Sequence, residues 1–113
     1  MIQETKLIIN QVADYFNLLP ENVICTKRKH EYIKAKHIAM YAFREFTDLT
    51  LREIGYNFNN KDHATVLHAI KSVNDQKDIY RNYRNDLEQI MYIIKNKVDF
   101  EFDKYRNYDT DKI

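Results

Sequence analysis

Thr50-Leu51-Arg52-Glu53-Ile54-Gly55-Tyr56-Asn57-Phe58-Asn59-Asn60-Lys61-Asp62-His63-Ala64-Thr65-Val66-Leu67-His68-Ala69 is the stretch that decides the fold. Thr50 to Glu53 matches a capping box, in which the Thr50 hydroxyl accepts from the Glu53 amide and the Glu53 carboxylate reaches back to the Thr50 amide. A short helix, Leu51 to about Asn57, is expected to follow. Asn59 and Asn60 mark a turn, because asparagine tolerates the left-handed backbone region better than most residues. Asp62 suits the N-cap of a further helix. In that helix Val66, Ala69, Ile70 and Val73 supply a buried side, and His63, Thr65, His68 and Lys71 fall largely elsewhere. Short helix, tight turn, then a helix with a polar start is the layout of a helix-turn-helix.

The rest of the chain reads as helical nearly throughout. Ile8, Val12, Tyr15 and Phe16 follow the i, i+4, i+7, i+8 spacing of an amphipathic helix. Pro20 suits the first position of a short helix reaching about Ile24. Thr26-Lys27-Arg28-Lys29-His30 has no apolar period and reads as a basic loop. A long helix from about Glu31 to Phe46 carries the stripe Tyr32, Ala35, Ala39, Ala42, Phe43, Phe46. Further on, Tyr80, Tyr83, Leu87, Ile90 and Ile94 are spaced 3, 4, 3, 4. That pattern fits a helix packed back on the domain, the favoured reading, or a two-stranded seam that would make a homodimer through residues 80–94. The expected architecture is all-α: one domain over residues 1–97, containing the helix-turn-helix and a C-terminal amphipathic helix. Residues 98–113, where acids alternate with Phe100, Phe102, Tyr105 and Tyr108, are expected to form a flexible tail.

Composition narrows the chemistry. Of 113 residues only Gly55 is glycine. A phosphate-binding P-loop needs two glycines and a dinucleotide fingerprint two or three, so nucleotide binding and an enzyme built on either are not expected. The net charge of +1 hides an asymmetry: residues 26–71 carry nine Lys/Arg against five Asp/Glu and hold all four histidines. A basic middle between neutral-to-acidic ends fits a localised anion-binding face, or simply a solvated charged surface. No apolar run approaches the ~20 residues that span a bilayer, so no membrane partner is expected. The single Cys25 and an N-terminus without signal-peptide features lead to the expectation of a cytoplasmic, nucleoid-associated protein. His63 and His68 are five apart, which does not stack them as zinc ligands on a helix, and no Cys or acid completes a set with His30 and His37. Neither metal nor other cofactor is expected, and Cys25, Glu31 and Glu53 read as structural groups rather than catalytic ones.

In a helix-turn-helix the second helix enters the major groove and reads base edges with its first residues. Asp62 can accept from a cytosine or adenine amino group, His63 and Thr65 can donate or accept, and the Ala64 methyl can pack on a thymine methyl. The amides at Thr50, Leu51 and Arg52 are candidates to hold a phosphate. The expected partner is double-stranded DNA.

Three stretches, Ile38-Ala39-Met40, Thr50-Leu51-Arg52-Glu53-Ile54-Gly55 and Asp62-His63-Ala64-Thr65-Val66-Leu67-His68-Ala69, resemble the C-terminal DNA-binding domain (domain IV) of the bacterial replication initiator DnaA. The likeness extends from about Ile8 to about Ile94. It implies a Trp-repressor-like all-helical fold that binds a TTATCCACA-like box through the major groove, with a basic loop in the adjacent minor groove. Carried over by position, the resemblance makes Arg28 the minor-groove arginine. Asp62, His63, Ala64 and Thr65 become the base-reading set, with His37 where the family often has glutamine. Lys36 stands where the family usually has a base- or backbone-contacting arginine, and Arg44 matches a phosphate contact. With Lys27, Lys29, Lys34 and Lys61 these make up the expected backbone-contacting cations. Phe58-Asn59-Asn60-Lys61-Asp62-His63 stands where the family has Phe-Gly-x-Arg-Asp-His, and lysine at 36 loses the bidentate fork of arginine.

The function expected is sequence-specific DNA binding at DnaA-box-like sites in replication initiation or its regulation, in a bacterium or phage. No counterpart of the family's ATPase domain is read in the chain, so no ATP switch is expected of it. A replication initiator or helicase-loading protein is a further partner that the resemblance suggests. The alternative is a protein-interaction, structural or anti-initiator module on the same fold, without sequence readout.

Overall fold

The computed structural model describes the backbone of residues 2–111 and the side chains of residues 4–99. Six helices occur among the described residues: α1 (Ile2–Tyr15), α2 (Pro20–Ile24), α3 (His30–Phe46), α4 (Leu51–Tyr56), α5 (His63–Ile79) and α6 (Arg81–Asp111). No strand is present among them, and no helix is long and apolar enough to cross a membrane.

Local sequence sets each helix end. After α1, Asn17 takes φ 56. The Leu18 amide donates to the Ala13 carbonyl at 2.8 Å and the Asn17 amide to the Asp14 carbonyl at 3.2 Å, the paired bonds of a Schellman motif. Asparagine here does the work usually left to glycine, a stop signal that the apolar periodicity of α1 does not carry. Pro20 occupies the start of α2, where a missing N–H costs nothing. Both bonds of the Thr50–Glu53 capping box form, at 3.2 Å and 2.9 Å. Asn59 and Asn60 take φ 59 and 57, as their side chains suggested.

The core is one cluster. From α1 it takes Ile8, Val12 and Ala13, and from α2 Val23. α3 supplies Ala35, Ile38, Ala39, Met40, Ala42 and Phe43. Ile54 and Phe58 join from α4 and the turn, and Val66, Ala69 and Val73 from α5. Phe43 and Phe58 meet with ring centroids 5.3 Å apart, a contact that contributes about 0.5–1.5 kcal/mol beyond its buried area. Phe58 thereby ties the turn to the central helix, and the start of α5 is positioned from the core outward.

α5 and α6 are joined by a single non-helical residue, Tyr80, at φ −112 and ψ 116. Tyr83, Leu87, Ile90 and Ile94 turn inward and are buried, with the Tyr15 hydroxyl donating to Asp86 Oδ1 at 2.9 Å. The expected back-packing of this helix is therefore observed. Two details differ from expectation. Tyr80 is 57% exposed and outside the stripe. The four inward residues are already covered by the same chain, so a dimer seam along 80–94 would have to give up core contacts to form. Beyond Val98, which is half-buried against the core, the backbone continues as helix to Asp111; a tail from residue 98 was expected, and its backbone is helical.

Candidate nucleic-acid interface

The site is built on the N-terminus of α5. Asp62 caps the helix, its Oδ1 accepting from the Thr65 amide at 2.8 Å. That bond and its companion to Thr65 hold the Asp62 carboxyl below its ordinary range, with smaller help from His63 and Lys61. Asp62 is thus held ionised as an acceptor, although one oxygen is engaged by the helix itself. Asp62, His63, Ala64 and Thr65 are all exposed, while Val66 and Ala69 one turn on are buried. The helix is anchored by one side and presents its polar first turn to solvent.

Gly55 fixes how close α4 comes to this point. Its carbonyl accepts from the Lys61 amide at 3.0 Å and from the Phe58 amide at 3.0 Å. A Cβ at Gly55 would lie 1.9 Å from the Lys61 carbonyl oxygen. Only a residue without a side chain fits, so the chain's single glycine sits where α4 is pressed against the turn that leads into α5.

α3 supplies a second wall. His37 is half-buried; burial pushes its pKa down, and the neighbouring His68 and Lys36 push in the same direction. His68 of α5 is therefore near enough for its charge to act on His37 of α3. The sequence signature contains His68, but only the packing of α3 on α5 makes it a neighbour of His37. Arg44 is exposed in the last turn of α3, seven residues beyond His37 and so on the same side of the helix.

The basic loop joins this face through Lys36. Its ammonium donates to the Cys25 carbonyl, and Arg28 and Lys61 are close enough for their charges to act on it. Lys27, Arg28 and Lys29 are exposed, and Lys61 is half-buried. Loop, α3, turn and α5 thus bring Arg28, Lys36, Lys61, His37 and His68 into one neighbourhood of positive or protonatable groups.

Three expected phosphate contacts are placed otherwise. Lys36 is 8% exposed, the sole buried charged residue among those described, so its side chain is turned into the protein. Lys34 pairs with Asp86 Oδ2 of α6 at 2.8 Å and lies 5.1 Å from the Tyr83 ring centroid, among residues of α6 rather than with the loop cations. The Thr50 amide is taken by Glu53 Oε1, which sets a carboxylate where a phosphate oxygen would have to sit. Leu51, the next amide, belongs to a half-buried residue. Among the described residues no group of three or more His, Cys, Asp or Glu is arranged to hold a metal ion.

Comparison with known proteins gives a consistent result. The family described as "Bacterial dnaA protein helix-turn-helix" matches residues 5–73. The chain is 40% identical over 90 residues to the chromosomal replication initiator protein DnaA of Bacteroides fragilis, an alignment covering 80% of this chain and 19% of that protein. It is 39% identical over 88 residues to the protein of the same name from Cutibacterium acnes, covering 78% and 18%. With that of Thermus thermophilus it shares 46% identity over 68 residues, covering 60% and 16%. The matched region spans less than a fifth of the length of each of these relatives.

Proposed function

The chain belongs to the bacterial DnaA helix-turn-helix family, and from that premise we propose that it binds double-stranded DNA sequence-specifically at DnaA-box-like sites, in the initiation of replication or its control. The observation that carries this reading is the exposed first turn of α5, Asp62 to Thr65, held out from an anchored helix beside His37 and the basic loop. In the major groove those four residues offer an acceptor, two donor-acceptors and a methyl, a set that distinguishes base pairs by their edges. Arg28 is the candidate for the minor groove, where an A·T-rich narrowing concentrates negative potential. Lys27, Lys29, Arg44 and Lys61 are the candidates for phosphates. In this reading the residues bind and do not catalyse, and residues 1–97 form the binding unit.

A mobility shift tests it, comparing a duplex containing TTATCCACA with a scrambled duplex of equal composition. Preference for the first is expected, with affinity falling as salt rises. Each neutralised phosphate adds about 0.9 to the slope of log affinity against log salt, so several contacts give a slope of several units. Equal affinity for both duplexes would overturn the reading in favour of an interaction module.

A further inference from the structure

We propose that Lys36 is a positioning residue: its ammonium, bonded to the Cys25 carbonyl, fastens the start of the basic loop to α3 and so sets where Arg28 can enter the minor groove. The inference rests on the DNA-binding reading above and gives a role to Lys36, which that reading leaves out of the DNA contacts.

Burial argues first. Lys36 as a whole residue is 8% exposed, and an ammonium that gives up part of its water loses free energy unless a hydrogen bond replaces it. The bond it makes is to the Cys25 carbonyl. Cys25 is the C-cap of α2, where the last carbonyls of a helix lack intrahelical partners. A cation there meets both an orphan acceptor and the negative end of a helix.

The loop itself argues second. Cys25 and Lys29 are fixed at its two ends, as the caps of α2 and α3. Between them, among the described residues, Thr26, Lys27 and Arg28 make no backbone hydrogen bond. The path of the loop therefore depends on how firmly its ends are held. The Lys29 end is held by its carbonyl, which accepts from Tyr32 and Ile33 at 3.0 Å each. At the Cys25 end the thiol donates to the Asn22 carbonyl at 3.3 Å, a bond within α2, whereas Lys36 links Cys25 across to α3. Three residues separate Cys25 from Lys29, so a loosened Cys25 carbonyl gives Arg28 a wider range of positions.

Charge completes the picture. Burial lowers the Lys36 pKa, and the charges of Lys61 and Arg28 lower it further. The ammonium is thus crowded by like charges and kept in place by the carbonyl. DNA phosphates arriving at Arg28 and Lys61 would relieve that crowding without touching Lys36.

The test uses Lys36→Met, which keeps the apolar stem and removes the donor, alone and combined with Arg28→Ala. Amide exchange in the free protein should quicken at Lys27 to Lys29 while Ile38 and Val66 stay protected. Preference for A·T over G·C pairs beside the box should fall roughly tenfold, as it should for Arg28→Ala, and the double variant should be no worse than either single one, the non-additivity expected of residues acting as a unit. The salt slope should change by well under one. Lys36→Arg, which keeps a donor, should restore both loop protection and preference. If instead the slope fell by about 0.9, all duplexes lost affinity alike and the loss added to that of Arg28→Ala, Lys36 would be a phosphate contact and the proposal wrong. Should Lys36→Met also expose Ile38 and Val66 to exchange, the same comparisons are read on Lys36→Gln, whose shorter side chain keeps a polar head without the reach. Failure of the clasp shows as a wild-type flank preference that survives Lys36→Met. Failure of the DNA reading shows as no such preference in the wild type.

Discussion

Gly55 and Lys61 stand so close that a methyl group on the Gly55 α-carbon would lie 1.9 Å from the Lys61 carbonyl oxygen and 3.4 Å from Val66 Cγ2. The obstacle is backbone, which yields less readily than the tip of a side chain. Gly55→Ala must therefore push α4 away from the turn that launches α5. A destabilisation at the upper end of the 1–3 kcal/mol usual for overpacking is expected, with weaker duplex binding because Asp62 to Thr65 move with the turn. Thermal melting measures the first, and an unchanged Tm would show that the contact relaxes freely.

Asn59 and Asn60 both have left-handed backbone, φ 59 and 57. Either changed to Gly should leave stability near the wild type, since glycine adopts this region at no steric cost. Changed to Val, each should lose about 1–2 kcal/mol, because a β-branched side chain crowds this region and lacks the local hydrogen bonding by which asparagine tolerates it. Denaturant unfolding of the four single variants decides it; two neutral Val variants would mean that the turn has another conformation in solution.

Acid should weaken the fold in two windows. His37 has its pKa lowered by burial, then by His68 and Lys36, so the folded state binds fewer protons than the unfolded one. Stability is full above the ordinary histidine value near 6.5 and falls as the pH drops below it. Glu53 and Asp62 have carboxyl pKa values lowered by their cap bonds to Thr50 and Thr65. Their contribution is full above the ordinary carboxyl range near 4 and is lost below it. Tm against pH should therefore drop in two steps, with His37→Gln flattening the upper one and Glu53→Gln with Asp62→Asn reducing the lower. An upper step that persists in His37→Gln would place its origin elsewhere.

His63→Ala or Thr65→Ala should cost roughly 1–3 kcal/mol on the preferred duplex and much less on random sequence. Both side chains are exposed in the first turn of α5, so their loss should spare stability. Competition binding on the two duplexes measures the difference, and equal losses would mean that neither residue reads bases.

Lys34→Ala is expected to leave the salt dependence of DNA binding unchanged. Its ammonium pairs with Asp86 across from α3 to α6, and such partly exposed pairs stabilise by about 1 kcal/mol or less. A small fall in Tm with an unaltered salt slope fits this placement. A slope lower by nearly one unit would return Lys34 to the DNA face.

Much of the fold is legible in the sequence because helix periodicity, capping boxes and asparagine turns act over four residues or fewer. Thr50 with Glu53, Asp62 with Thr65 and the pair Asn59–Asn60 declare themselves within such windows, and with them the helix-turn-helix and the polar start of α5. The inward stripe of α6 was readable as a pattern, but the surface it would cover was not, because a 3-4 spacing serves a seam and a core equally well. What the tertiary structure alone decided is clearest in two lysines. Lys34 and Lys36 are two residues apart on α3, about 200° around the helix axis, and identical in chemistry. One meets Asp86 on a helix more than fifty residues away in the chain; the other is buried under the loop and bound to the Cys25 carbonyl. Local sequence makes both of them cations on one helix. Which of them solvent, a carboxylate or a carbonyl receives depends on the distant segments that pack over each side of α3, and that follows from the assembled core rather than from neighbours in the chain.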